Sequence, residues 1–384
     1  MDEIGLYIHI PFCKRKCYYC DFTSYCNKDD LIEEYIKYLN YEISEVGEGI
    51  KNAIGKKYSE ISTIYIGGGT PSYIDSKYIT AILKTIGNIS SLEDKEITIE
   101  VNPGTVTKEK LESYKSAGIN RLSIGMQETD NELLNKIGRI HSYEEFEGTY
   151  KMAREVGFKN INVDVMIGLP SQTIENVEQT INKVISLNPE HISVYSLIVE
   201  ENTPIEKMIT GKKLILPDEE IERKMYWRVK ELLETNGYKH YEISNYAKPG
   251  FESKHNSNCW EQKEYFGFGV AAHSYTDGAR YSNIESIEEY IENYKQGKQE
   301  NNFVFHEKQD KFAQMKEYVM LGLRKIDGVN VEKFKEKFGM ELSKVFKQEL
   351  EKLEKQGLII TENKNIKLSN NGIDFANLVW QEFV

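Results

Sequence analysis

No run of apolar residues in this sequence approaches the roughly 20 needed to cross a bilayer, so a membrane-spanning helix is not expected. Basic residues are in deficit. The 384-residue chain carries 49 Lys and Arg against 61 Asp and Glu, a formal charge of −12. That balance argues against nucleic acid or an anionic membrane as the main partner. Cysteines number only five, an odd count, and three of them crowd into residues 13–20. A disulfide framework is therefore not expected, and a reducing compartment is. The opening residues, Met1-Asp2-Glu3-Ile4, are acidic where a secretory leader would be basic, so cytoplasmic residence is the expectation. Internal repeats and low-complexity stretches are absent.

What is present is a soluble globular composition, 40% hydrophobic and 29% charged. Its length suits one large α/β unit with a smaller companion. Short β-branched or aromatic runs alternate with helical patterns. Ile4–Ile10, Ile61–Ile66, Glu96–Val101, Arg121–Met126, Asn160–Ile167 and His191–Leu197 are the predicted strands. Between the first two, Leu31, Ile32, Tyr35, Ile36, Leu39, Ile43 and Val46 recur at three or four residues and mark one buried helix face. Six strand–helix units predict an α/β fold, an incomplete (β/α)6 barrel whose chemistry lies at the C-terminal ends of its strands. The expected division is a barrel core over 1–200, a barrel extension over 201–307 and a smaller helical, winged-helix-like domain over 308–384. A helix is predicted from Asp218, its N-cap, to Asn236, stopped by Gly237. Gly357–Leu368 reads as a hairpin. The last segment holds 14 basic and 12 acidic residues, a net +2 with mixed signs, unlike the basic face of a DNA-gripping winged helix.

Cys13, Cys17 and Cys20 form C-x3-C-x2-C, three soft ligands in eight residues. Thiolates select zinc, copper(I) or iron–sulfur clusters. A structural zinc site wants a fourth ligand, yet Asp21 follows and Cys26 lies in a different stretch. Three sulfurs on a four-iron cube leave one iron open to a small molecule. A zinc knuckle or a merely cysteine-rich loop are the other readings. Gly67-Gly68-Gly69-Thr70-Pro71 follows the second strand, where glycines admit a ligand close to the backbone; a tight strand–helix turn explains them equally. Glu100 ends the third strand and Asp164 the fifth, while Ser123-Ile124-Gly125-Met126-Gln127 closes the fourth and Arg139 lies beyond it.

The cysteine spacing resembles the radical S-adenosylmethionine (SAM) superfamily, in which the open iron of a 4Fe-4S cluster is chelated by SAM. In order, the chain carries Tyr-Ile-His-Ile-Pro-Phe-Cys, Gly-Gly-Gly-Thr-Pro, Glu-x-Asn-Pro, Arg-x-Ser-x-Gly-x-Gln, Gly138-Arg-Ile-His141 and Asp164-x-Met-x-Gly-Leu-Pro170. This series is similar, from about residue 4 to the end, to the oxygen-independent coproporphyrinogen III oxidase family. The resemblance implies that Tyr7, Gly67, Gly68, Thr70, Glu100, Gln127, Arg139 and Asp164 contact SAM, Asp164 at the ribose and Arg139 at the carboxylate. Tyr19 would lie beside the adenine, and Ile198 and His273 are carried over to the same site. A carboxylate suits a diol and a guanidinium suits a carboxylate.

Two departures separate the chain from the oxidase itself. Phe22 stands where the oxidase has a further cysteine, and only twelve residues precede Cys13. Both match the haem-chaperone branch of the family, which also carries a His-Asn-x-x-Tyr-Trp motif. Here that motif reads His255-Asn-Ser-Asn-Cys259-Trp260. The resemblance implies haem as cargo, with His255 as an axial ligand, Trp260 against the macrocycle and Cys259 a second soft ligand; cysteine in place of tyrosine leaves the role of Cys259 open. Implied partners are a haem-acceptor protein and an electron donor such as flavodoxin or ferredoxin. There is room for a homodimer, no nucleic acid, and membrane contact only through the acceptor. The competing expectation is a coproporphyrinogen III dehydrogenase that decarboxylates propionates through a 5′-deoxyadenosyl radical.

Overall fold

Side-chain alternation in the first strand decides the architecture. A computed structural model describes residues 1–384. In β1 (Asp2–Ile10), Ile4, Leu6, Ile8 and Ile10 are buried and share one core with Tyr35, Ile36, Leu39 and Ile43 of the Ile32–Ala53 helix. Gly5, Tyr7 and His9 fall on the opposite face, as a period of two requires. Then β2 (Tyr58–Gly68), β3 (Glu96–Val101), β4 (Arg121–Gln127), β5 (Ile161–Ile167) and β6 (His191–Ser196) follow side by side, all parallel. These are the six expected strands of an incomplete barrel, with ends shifted by at most a few residues.

The sheet is wider than the sequence suggested, with twelve strands. A hairpin of β7 (Lys239–Glu242) and β8 (Asn245–Ala247) extends the β6 edge antiparallel. On the other side β9 (Tyr265–Phe268) joins β1 in parallel. The meander β10 (His273–Thr276), β11 (Ala279–Asn283) and β12 (Phe303–Lys308) then continues antiparallel. Most of these added strands have three to five residues, too short for alternation to register as a pattern.

The inner face of the parallel strands is largely polar. Register aligns Tyr7 with Tyr65, Tyr65 with Thr98, Glu100 with Ser123, Gly125 with Asp164 and Asp164 with Ser193. Beyond Lys311 a second core gathers Phe334, Phe346 and Phe383. It lies under the small antiparallel sheet of β13 (Val329–Asn330), β14 (Ile359–Glu362) and β15 (Asn365–Leu368). Asn363 and Lys364 take φ of 50° and 66° between β14 and β15, the left-handed pair that a two-residue hairpin needs. The predicted helix runs Glu219–Thr235, with the Asp218 side chain accepting from the Ile221 N–H and Gly237 at φ +86° beyond its end.

Glu42, buried in the Ile32–Ala53 helix, ties that helix to the added strands. Its carboxylate accepts from the Gly269 N–H at 2.9 Å, from Asn283 Nδ2 at 2.6 Å and from the Tyr290 hydroxyl. Replacing Glu42 with Ala orphans three buried donors and is expected to cost about 3 kcal/mol in urea denaturation. A loss below about 1 kcal/mol would mean that the carboxylate is not the fastener described.

Candidate functional site

The cysteine loop leaves β1 directly and is held at both ends. Tyr25 N–H donates to Pro11 O at 2.7 Å and Cys13 N–H to Tyr25 O at 2.9 Å, which folds residues 12–25 back on themselves. In the middle, Tyr18 N–H reaches Ile137 O, and Ile205 N–H reaches Tyr18 O, both at 3.0 Å. Gly69 and Thr70 continue the pairing past β2, with their N–H groups on Ile10 O and Phe12 O at 2.9 Å. Thr70 Oγ1 is thereby hydrogen-bonded to Cys13 Sγ at 3.4 Å. Arg139 Nη1 donates to Cys17 Sγ at 3.5 Å. All three thiols are free, Cys13 buried and Cys17 and Cys20 half-buried. Burial pushes the Cys13 thiol up to about 11 against the hydrogen bonds from Thr70 and Ser24.

Around this loop the strand ends converge. Gly68 has φ +112°, and a Cβ there would lie 2.5 Å from the His9 ring, so only glycine fits. Its N–H donates to Glu100 Oε2 at 3.1 Å, and the Tyr65 hydroxyl donates to Glu100 Oε1 at 2.9 Å. Arg139 Nη2 donates to Asn102 Oδ1 at 2.7 Å and to Gly125 O at 2.6 Å, while its Nε has no partner. At Gly125 a Cβ would meet Gln127 Nε2 at 3.0 Å and Arg139 Nη2 at 3.1 Å. Gln127 itself sits at φ +72° beside a bulge in β4, the kind of backbone strain that gathers at functional positions. The Tyr19 phenol lies beside the Arg139 guanidinium. Tyr7 hydrogen-bonds His9 Nδ1 at 3.0 Å, and His9 Nε2 meets Thr23 O at 2.8 Å.

Asp164 does not end its strand. It lies in the middle of β5 and faces the barrel interior, within reach of Ser123 Oγ at 3.2 Å and Asn162 Nδ2 at 2.7 Å. Glu100 and Gln127 lie at the ends of β3 and β4 as expected, whereas Gly67 and Gly68 are the closing residues of β2 rather than the start of a loop. The inward face, not the loop, presents them. Burial raises the Asp164 pKa, opposed by Asn162, Arg121 and Ser123. Burial also pushes Glu100 up to about 7, opposed by the Tyr65 hydrogen bond and reinforced by the Asp164 charge.

The remaining expected residues are scattered. His255 lines a cavity of about 780 Å³ that also touches Tyr7, His9 and Cys259. Trp260 is not among that cavity's walls; its ring packs on the Arg324 guanidinium, 4.7 Å from the centroid. His273 is exposed on β10, where it borders the same cavity two strands beyond β1. Ile198 is 68% exposed on the segment after β6. Sequence reasoning missed Glu96, whose carboxylate accepts the N–H groups of Lys254 and His255 at 3.0 Å each and so fixes the His255 helix to β3. Cys26 was set apart in sequence, but the Phe12–Tyr25 bridge returns it to the electrostatic neighbourhood of Cys13 and Cys17. Only a contact between residues thirteen apart reveals that.

The profile of the radical SAM superfamily matches residues 7–184, and that of the HemN C-terminal domain matches 310–375. Over 383 residues the chain is 38% identical to the heme chaperone HemW of Bacillus subtilis, covering 98% of each. The chain belongs to the HemW family. A HemW from Lactococcus lactis is 35% identical over 379 residues, 98% of this chain and 96% of the relative. That from Haemophilus influenzae is 34% identical over 392 residues, 100% and 98%. In fold, the chain matches the Escherichia coli coproporphyrinogen III oxidase HemN, described as a radical SAM enzyme, with a TM-score of 0.84 and 23% identity over 100% of this chain and 90% of that one. As a HemW family member the chain falls within the radical SAM superfamily, which implies a 4Fe-4S cluster and SAM. The donor set fits that implication. Three free thiols share one loop, and a hydroxyl and a guanidinium point hydrogen bonds at two of the sulfurs, contacts that stabilise thiolate bound to iron. No three ligating side chains converge on a point fit for a single ion, and a cube spreads its irons over a wider span. No helix is long and apolar enough to cross a membrane.

Glu100 generates a pH test. Its folded pKa of about 7 lies above the ordinary 4.5, so the folded state binds the proton more tightly than the unfolded one. Stability therefore declines as pH rises from about 4.5 to about 7, and the full penalty persists above that. The melting temperature of the cofactor-free protein is expected to fall from pH 5 to pH 8, and Glu100→Gln to flatten the fall. Parallel profiles for the two proteins would remove Glu100 as its source.

Proposed function

We propose that this protein is a haem-carrying chaperone. It would hold a 4Fe-4S cluster on Cys13, Cys17 and Cys20, bind SAM across the inward ends of β1–β5, and pass haem to an acceptor protein. The observation that carries the SAM part of this reading is the half-buried Arg139. Its guanidinium touches Cys17 Sγ, Asn102 and Gly125 O, yet no carboxylate of the chain pairs with it. A buried guanidinium without a counter-ion is costly. An amino-acid carboxylate arriving beside a cysteine-bound cluster satisfies it bidentately.

The other inward groups suit the rest of the same ligand. Glu100, clamped by Tyr65 and the Gly68 N–H, presents an acceptor to an ammonium; Asp164, fixed by Ser123 and Asn162, presents one to a diol. Gly67 and Gly68 keep the β2 end free of Cβ atoms, Thr70 steadies Cys13, and Tyr7, Tyr19 and Gln127 wall the space. A positively charged ligand would also favour ionised Glu100 and return its pKa toward the ordinary range. A cluster held by Cys13, Cys17 and Cys20 would supply the electron for any reductive cleavage of SAM. The chain's own work is to orient the ligand and exclude water from it. Haem as cargo is supported by the full-length similarity to proteins named heme chaperones and by the His255-Asn-x-x-Cys-Trp260 segment. An acceptor protein and an external electron donor such as a flavodoxin or ferredoxin follow from that reading.

Cys17→Ala is expected to abolish the brown absorbance and most bound iron after anaerobic reconstitution while far-UV circular dichroism persists; unchanged iron content would sink the ligand assignment. Asp164→Ala should weaken SAM binding in calorimetry by about 1–3 kcal/mol, and equal affinity would take Asp164 out of the site. Reconstituted protein given SAM, reductant and coproporphyrinogen III is expected to release no carbon dioxide. Turnover there would replace the chaperone reading with the dehydrogenase one.

A further inference from the structure

The 780 Å³ cavity opens between the barrel mouth and the β10–β12 meander, within the range of clefts that enclose organic cofactors, ~300–1,000 Å³. Two kinds of surface meet in it. One is apolar and exposed: Phe22 of the cysteine loop at 65% and Val304 of β12 at 39%. The other is imidazole. His255 is buried with Nδ1 hydrogen-bonded to Thr63 Oγ1 at 2.9 Å, which leaves Nε2 as its uncommitted nitrogen. At the mouth, His273 and His306 stack with ring centroids 5.5 Å apart and planes 14° from parallel. His306 Nε2 is hydrogen-bonded to Ser282 Oγ at 2.9 Å. The His273 ring borders the cavity with no hydrogen bond to protein.

A small polar substrate would not need exposed phenyl and isopropyl groups beside a parallel pair of imidazoles. A flat apolar macrocycle carrying a metal at its centre needs both. Resting on the reading of haem as cargo, we propose that this cavity is the haem seat and that His273, stacked on His306, supplies an axial ligand to the haem iron, with Phe22 and Val304 against the macrocycle. His273 lies on β10, while Glu100, Gln127 and Asp164 lie on β3, β4 and β5. That separation gives it this role rather than a place at SAM. Asp21 and Glu285 also line the cavity, a charge the haem propionates would avoid.

The test is haem titration of the full-length, anaerobically reconstituted protein, read by Soret absorbance and resonance Raman. His273→Ala is expected to move the Soret maximum and weaken haem binding about tenfold or more; His273→Met should retain binding with an altered ligand signature. Val304→Trp, which fills the seat, should lower affinity without touching an imidazole. If wild type binds haem and His273→Ala has the same spectrum and affinity, the ligand assignment falls while haem carriage stands. If Val304→Trp binds as tightly as wild type, the macrocycle lies elsewhere. If wild type binds no haem, the proposed function falls and takes this inference with it.

Discussion

A parallel sheet with a polar inner face is stable only when most of its inward groups have partners, because an unpaired buried polar group costs several kcal/mol. The six central strands meet that constraint for most inward groups through cross-strand links, while Thr98 Oγ1 and Arg121 Nε stay without a partner. Tyr65 and Gly68 of β2 hold Glu100 of β3, Asn162 and Ser123 hold Asp164, and His191 of β6 bridges Asn162 and Tyr241. What the network leaves over is charge. Two carboxylates face one interior, and Arg139, beside Cys17 and Gly125 O, keeps an unpartnered Nε. Such an interior would suit a zwitterionic guest of the kind proposed above.

The same network sets the cysteine loop. Its base is stitched to β1 through Pro11 and Phe12, its middle to the Ile137 region, and its far side to His9 through Thr23. Gly138 adds to this: a Cβ there would come within 2.9 Å of the Tyr18 ring. The arginine that touches Cys17 therefore belongs to the segment on which the loop rests. The three cysteines and their supports are one mechanical unit.

Much of this was legible in the sequence, and the failures have causes. The six central strands announced themselves because β-branched residues fill their outer faces, as in Ile61-Ser-Thr-Ile-Tyr-Ile66. β7–β12 did not, since strands such as Asn245–Ala247 are too short to show a period and are defined by pairing alone. Asp164 was read as a strand end although the predicted strand ran on to Ile167, and the register places it mid-strand, level with Gly125 and Ser193. The His255-to-Trp260 segment reads as one motif but forms a seven-residue helix. Its first and last side chains diverge, one toward the barrel and the other toward Arg324.

That divergence has an optical corollary. The Arg324 guanidinium lies between the Trp260 and Trp380 rings, 4.7 and 4.4 Å from their centroids, and Trp227 Nε1 donates to Asp374 Oδ1 at 2.7 Å. These are all three tryptophans in the chain, and each straddles the seam where the C-terminal segment meets the barrel. Intrinsic indole emission is consequently blind to the rest of the molecule and reports on that seam alone, without any introduced fluorophore.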